Sequence, residues 1–252
     1  MIHSDTLFSA LCCCANLLGG DVWVKKLIDD LLISSAFPYA GNRLFFPKPM
    51  HLAQPLFDHV KYSDQKAYRK VRYFEKPLLE LALQQKLDVA TSFYEDNVKN
   101  GCWFSDNPEE ILQTIEHPRV VIDRLTNQTT IFHFQEVHFA EGCGLFFLAN
   151  CNNDPQLEKV LNASLGLLGD EGIGSDGTVG KGLFDFLIDP AFETLPPMAD
   201  GRHYILSLYH PTENEIKHIR PENSNYELIS RRGWSSAWGK MDLRRQTLKM
   251  FL

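Results

Sequence analysis

Nowhere in these 252 residues do eighteen apolar residues run together, so no segment reads as a membrane span. The stretch "LFSALCCCANLL" (7–18) has no basic lead-in and does not read as a signal peptide. Metal-ligand spacing is missing as well. Cys12, Cys13 and Cys14 are consecutive, and neighbouring helical positions point about 100° apart, so three such thiols cannot converge on one ion. Cys102, Cys143 and Cys151 show no ligand spacing either. Zinc is therefore not expected, no cofactor is implied, and free thiols suit a reducing cytoplasm. There is no basic excess: the formal charge of −7 argues against an independent nucleic-acid binder. Repeats at fixed period and low-complexity segments are absent too. With 17 Phe and 44% hydrophobic residues the chain is not disordered, and its length allows one large domain or two small ones.

Charge is unevenly spread. "KYSDQKAYRKVRYFEK" (61–76) holds six basic residues against two acidic, and "RRGWSSAWGKMDLRR" (231–245) five against one. Local basicity inside an acidic protein suits a subunit that shares its nucleic acid with partners. Lys66, Arg69, Lys70 and Tyr73 fall on one face at helical spacing. A helix is expected over 5–18, capped by Ser4 or Asp5 and stopped at Gly19–Gly20. "RLFFPKP" (43–49) reads as a strand, 64–86 as helical material interrupted at Pro77, and "NPEEILQTIEH" as a helix with Asn107 as cap and Pro108 at its first position. Two β-rich runs within 119–139 flank "TNQTT" and predict a hairpin, followed by a strand at 144–149. Asp154–Pro155 open a second helix with Leu157, Val160, Leu161, Leu165 and Leu168 on one stripe, ending at Gly169. "LFDFLI" (183–188) then reads as a strand. This order is a split β-α-β unit without its first strand. Residues 189–201 are the best linker, and 203–211, "YELISRRGW" and "TLKMFL" read as further strands.

The run "DEGIGSDGTVGKGLFDF" (170–186) places five glycines between Gly172 and Gly182. Such a run lets the main chain approach something closely, and its N–H groups suit phosphate oxygens; a plain surface loop is the alternative. It is no P-loop, which needs G-x-x-x-x-G-K-[ST] before a helix, whereas Lys181 is followed by Gly182 and strand material. Nor is it a dinucleotide fingerprint, which runs strand, glycines, helix; here the order is reversed.

"HSDTLFSAL" (3–11), "SSAFPYAGNRLFFPKPM" (34–50), "RVVIDRLT" (119–126), "GLFFLA" (144–149) and the glycine run occur in order, with "HYILSLYHPTENEI" and "ISRRGWSSAWG" beyond them. Together they resemble the RAMP-superfamily subunit that caps the crRNA 5′ end in type III-A CRISPR (Csm) interference complexes. The likeness covers nearly the whole chain. It implies an α+β protein of two packed ferredoxin-like (RRM-like) β-α-β-β-α-β domains: 1–189 with a thumb hairpin and the glycine-rich loop, a linker at 190–201, and 202–252, with the first strand of domain one and the end of domain two missing. It implies a non-catalytic RNA-binding scaffold in antiviral defence, holding the repeat-derived 5′ tag of crRNA. Implied partners are the large polymerase-like subunit, the backbone RAMP subunit and, indirectly, target RNA, with no membrane. Such proteins also often carry an arginine in the middle of the loop, where this chain has Asp176–Gly177.

On that resemblance the RNA-binding candidates are Gly172, Gly174, Gly177, Gly180 and Gly182 through main-chain N–H groups, Ser175 and Thr178 through hydroxyls, and Lys181 through charge. Lys48, Arg119, Arg124, Arg231 and Arg232 are phosphate or partner contacts, or ordinary surface residues. Phe37, Tyr39 and Trp234 are candidates for base stacking, with core packing the alternative. His3, beside the first helix, reads as a structural hydrogen-bonder. Two other functions remain open: a CRISPR-RNA-processing endoribonuclease using a histidine general base, and a small-nucleotide enzyme using the glycine loop.

Overall fold

The computed structural model describes residues 2–52, 62–174, 179–190, 192–220, 224–235, 243–244 and 246–252, with backbone alone at 62–63, 234–235 and 243–244. The protein is mixed α+β. It divides into two compact units, Met1–Ala36 with Phe147–Leu252, and Phe37–Phe146.

The first unit is built on two helices. α1 (Ser4–Asp30) places Leu7, Leu11, Cys14, Ala15 and Leu27 against Leu157, Val160, Leu161, Leu165 and Leu168 of α5 (Pro155–Glu171). These leucine stripes repeat every three or four residues, so one face of each helix leaves water. α1 is not continuous: Gly20, at φ 61° and ψ −158°, breaks it where the expected stop lies, and a second helical segment follows. By length and composition α1 would suffice to cross a bilayer, yet its apolar face packs on α5 and the break divides it. Its first turn is capped by neither Ser4 nor Asp5. His3 occupies the cap position, and Ser35 Oγ accepts from Ser4 N–H at 3.0 Å. Ser34 Oγ accepts from Leu148 N–H at 2.9 Å, so the "SS" of the "SSAFPY" motif stitches the chain together. α5 follows its expectation: Asp154 caps it by accepting from Gln156 and Leu157 N–H, with Pro155 opening the helix, although it runs on to Glu171.

β1 (Leu32–Ile33) pairs with β10 (Ala149–Asn150), and Ile2 forms a single bridge with Ala36. Residues 183–188 are a correction: no ladder forms there. Phe184 N–H reaches Gly169 O at 3.2 Å, Phe184 and Phe186 pack against the helix core, and Leu187 is 99% exposed. The alternation is real, but no strand beside it supplies hydrogen bonds. Residues 203–211 are likewise no strand. Leu206 O accepts from Ser35 N–H, Leu208 N–H donates to Ser4 Oγ, and Tyr209 makes one bridge to Phe251. α6 (Glu213–Ile216) is closed by a Thr212–Glu215 capping box. β11 (Leu228–Arg231) pairs with β14 (Leu248–Phe251), as the two expected strands require, and the short β12 (Trp234–Ser235) and β13 (Leu243–Arg244) pair with each other. Residues 202–252 are thus tied by hydrogen bonds to the first helix.

The second unit holds β2 (Phe37–Ala40), β3 (Arg43–Pro47), β4 (Tyr73–Glu75), β5 (Val98–Lys99), β6 (Cys102–Trp103) and β9 (Cys143–Phe146) in one sheet of order β5-β6-β4-β3-β2-β9, with β4 and β6 parallel. α2 (Tyr62–Lys70) and α3 (Lys76–Leu83) accompany it. Pro77 starts α3 instead of interrupting a helix, since the first turn needs no N–H there. Phe45, Phe46, Tyr68, Phe74, Trp103 and Phe104 are fully buried and meet edge to face, Phe74 to Trp103 at 5.0 Å. Asn107 and Pro108 do not start a helix. "LQTIEHPRVVI" is β7 (Leu112–Ile122), paired along its length with β8 (Thr129–Phe139), so the hairpin starts seven residues earlier than its sequence signal at 119. Tertiary pairing overrides the local cap.

Lys26 bridges Asp30 at 2.8 Å and Asp154 at 2.5 Å, and its hydrogen bond holds the Asp154 carboxyl below its usual value. A depressed carboxylate contributes stability above its unfolded pKa and loses it as pH falls through the folded one. Asp154→Asn keeps the cap without the charge. Urea titrations at decreasing pH will show wild type more stable near neutrality, the gap closing below the ordinary Asp range.

Candidate nucleic-acid interface

The glycine loop leaves α5 at Gly172, whose N–H donates to Leu168 O at 2.8 Å. Ile173 N–H then donates across to Gly182 O at 3.0 Å. Gly172 and Gly182 have φ of 82° and 79°. A Cβ on Gly172 would lie 2.6 Å from Lys181 O, and one on Gly182 would strike Ile173 O. Both glycines therefore serve the chain's own close approach, stem against stem, which differs from the expectation that all five follow a ligand. Beyond the clasp, a Cβ on Gly174 or Gly180 would meet open space. Gly174, Gly180 and Lys181 are exposed. Ser175, Gly177 and Thr178 lie outside the described residues.

The β7–β8 hairpin is turned by Asp123, whose Oδ1 accepts from Leu125 N–H at 2.7 Å and Thr126 N–H at 3.2 Å. These bonds hold its carboxyl below the usual range, the Leu125 amide contributing most. Arg124 is exposed at this tip beside Leu125, which is 95% exposed. Arg119 is half-buried, its guanidinium 4.2 Å from the centre of the Phe134 ring. His117 and His138 lie 3.9 and 3.2 Å from Glu136, and His133 2.7 Å from Glu116. The alternation that should bury one face instead leaves Val120, Val121, Ile122, Ile131 and Val137 exposed. Such an apolar ribbon in water is the mark of an interaction element.

Several sequence candidates are corrected. Phe37 is 1% exposed and packs edge-on against Phe146 at 5.9 Å, so it offers no face to a base. Tyr39 is half-buried, its ring lying over Gly144. Lys48 sits 4.6 Å above the Tyr68 ring with Nζ 3.4 Å from Tyr68 O, and burial pulls its pKa down; it is a packed lysine more than a phosphate grip. Arg231 donates twice to the Asp5 carboxylate, at 2.8 and 3.0 Å, and once to Thr6 Oγ1 at 2.9 Å, which occupies its fork within the chain. Arg232, next to it, is exposed. Trp234 lies in β12, and its ring falls outside the described residues. His3 Nδ1 is buried without a partner among the described residues, so it is not the hydrogen-bonder expected; burial first, then Arg231, lowers its pKa. Sequence reasoning missed Ser34 and Ser35, whose hydroxyl roles left no signal beyond the motif itself. Among the described residues no group of three or more His, Cys, Asp or Glu could hold a metal.

Gly180 and Gly182 share nearly the same φ, 73° and 79°, but only Gly182 faces its own backbone. Gly180→Ala will cost about 1–2 kcal/mol, the left-handed penalty. Gly182→Ala will cost clearly more in urea unfolding, because Ile173 O must also move; equal costs would mean the stems are not clasped.

No family model matches the chain. The CRISPR system Cms protein Csm4 of Thermococcus onnurineus is 28% identical over 248 residues, covering 92% of this chain and 75% of that protein. The protein of the same name from Mycobacterium tuberculosis is 23% identical over 253 residues, covering 98% and 77%. Among solved structures, a chain of the Csm3–Csm4 subcomplex in the type III-A CRISPR-Cas interference complex superposes with TM-score 0.65 at 20% identity, over 100% of this chain and 85% of that one; that likeness speaks to the fold. A chain of the Csm1–Csm4 cassette in complex with cA4 matches with TM-score 0.51 at 26% identity, over 67% of this chain and 60% of that one. These likenesses support a Csm4-like subunit of the type III-A Csm kind.

Proposed function

We propose that this chain is a non-catalytic scaffold of a cytoplasmic type III-A effector, holding the 5′ repeat-derived tag of crRNA and joining the large subunit to the backbone subunit. The observation that carries the reading is the likeness to chains found in both a Csm1–Csm4 cassette and a Csm3–Csm4 subcomplex. A protein built to touch two different subunits needs projecting elements, and the β7–β8 ribbon is one. In this reading residues 1–189 and 202–252 are two ferredoxin-like modules with a linker at 190–201, and target RNA is met only through the guide.

The glycine loop fits the tag-binding role in a narrower form than composition implies. Gly172 and Gly182 clasp the stems, which presents Gly174, Gly180 and Lys181 outward. Main-chain N–H groups and one cation then meet a ribose–phosphate strand. Arg124 at the hairpin tip and exposed Arg232 are the remaining phosphate candidates, while Lys48 and Arg231 act inside the fold.

The test is to purify the protein with its natural partner subunits and sequence the RNA that accompanies it. A shared short 5′ sequence on every molecule is expected, lost or depleted in an Arg124→Ala/Lys181→Ala/Arg232→Ala variant that still assembles. RNA with unrelated 5′ ends, or RNA of one new defined end produced by the protein alone from repeat RNA, contradicts the scaffold reading.

A further inference from the structure

α2 carries its positive charge on one side. Ala67 and Tyr68 are buried, whereas Lys66, Arg69 and Lys70, spaced i, i+3 and i+4, are exposed. Tyr73, expected on the same face, is instead a buried residue of β4. Arg72 follows the helix and is exposed, and its N–H donates to Gly101 O at 2.8 Å. That bond presses the β5–β6 turn against the end of α2: a Cβ on Gly101 would lie 3.5 Å from Lys70 O and 3.8 Å from Arg72 Cγ. Exposed Lys99 stands in that turn, paired with Cys102 across it. Three pieces of the second unit, two of them far apart in the chain, thus gather Lys66, Arg69, Lys70, Arg72 and Lys99.

None of these five cations makes a salt bridge among the described residues. Elsewhere Lys26, Arg43, Lys76, Arg202 and Arg231 all have carboxylate partners. The nearest acids by element are half-buried Asp64 in the first turn of α2, and exposed Glu95 and Asp96 in a short turn packed on it; they mark the rim of the patch. Like charges at i, i+4, as Lys66 and Lys70 are, repel each other, and a chain of formal charge −7 with 32 acidic residues has ample means to neutralise them. Of the aromatics beside these cations, Tyr68, Tyr73 and Phe74 are buried and offer no face for stacking.

We propose that this face of α2 and the adjoining turn is a second nucleic-acid surface, gripping RNA phosphates without reading sequence. It rests on the scaffold reading only in taking RNA as the ligand, and it is separate from the glycine loop. Lysine and arginine side chains spread over such a face contact phosphates, which carry no sequence information.

The test uses the full chain and two labelled single-stranded RNAs of equal length, one bearing the tag and one scrambled. Lys66→Gln/Arg69→Gln/Lys70→Gln/Arg72→Gln will lower affinity for both by the same factor, more than about tenfold at low salt. It will also flatten the plot of log affinity against log salt by about 0.7 per lost phosphate contact. A control changing exposed Lys25, Lys159, Lys217 and Lys249 to Gln alters net charge equally and will leave both readouts near wild type. Unchanged affinity and slope overturn the proposal, as does a loss confined to the tagged RNA. Intact RNA binding with lost assembly onto a partner subunit would assign the surface to an acidic protein face and also overturn it. Equal wild-type affinity for the two RNAs would instead sink the tag reading and leave this one standing.

Discussion

A single cross-loop hydrogen bond, Ile173 N–H to Gly182 O at 3.0 Å, fixes what the glycine run can do. It forms only because neither Gly172 nor Gly182 carries a Cβ, since each would meet carbonyl oxygen of the opposite stem. α5 sets the position of one stem through the Gly172-to-Leu168 bond, and Phe184, bonded to Gly169 O and packed on the helix core, sets the other. Anchoring both stems lowers the ordering cost of whatever binds beyond them. The exposed residues Gly174, Gly180 and Lys181 are therefore held out from the first unit by a rigid base, a suitable platform for main-chain contacts to a phosphate strand.

The second unit solves a different problem. Its aromatic interior, with Tyr68 meeting Phe93 at 5.2 Å and Phe93 meeting Trp103 at 5.2 Å, is large enough to hold a long hairpin that has no core of its own. β7 and β8 stay in antiparallel register over eleven residue pairs, yet apolar side chains remain exposed along the ribbon. Isolated hairpins are marginal in water, so the ribbon relies on its cross-strand pairs, such as Arg119 with Phe134, and on the sheet at its base. The same unit presents Lys66, Arg69 and Lys70 of α2, which make no salt bridge among the described residues.

Much of this was legible in the sequence where local chemistry and tertiary context agree. The α5 cap at Asp154, the leucine stripe of α5 and the interruption at Gly19–Gly20 follow directly from periodicity and capping, and β11 and β14 fall in segments that read as strands, although their pairing was not legible. Where they disagree, context prevails. Asn107–Pro108 is a good helix start in isolation, but the next residues pair with β8 instead. "LFDFLI" alternates as a strand should, yet among the described residues no strand lies beside it. Charge was the least legible feature of the site. Nothing local distinguishes Arg231, locked to Asp5, from exposed Arg232, or Lys48 lying on Tyr68 from exposed Lys66, because each depends on residues far away in the chain. The glycines divide in the same way: composition marks all five, while only the fold separates those that clasp from those left open.

Residue-resolved amide hydrogen exchange tests the proposal that the outer peptides of this clasped loop bind RNA. Slow exchange is expected at Gly172, Ile173 and Phe184 in the free protein, fast exchange at Gly174, Val179 and Gly180, and protection of the latter three only when tag-bearing RNA is added. Fast exchange at Ile173 without RNA, or outer amides indifferent to that RNA, would contradict it.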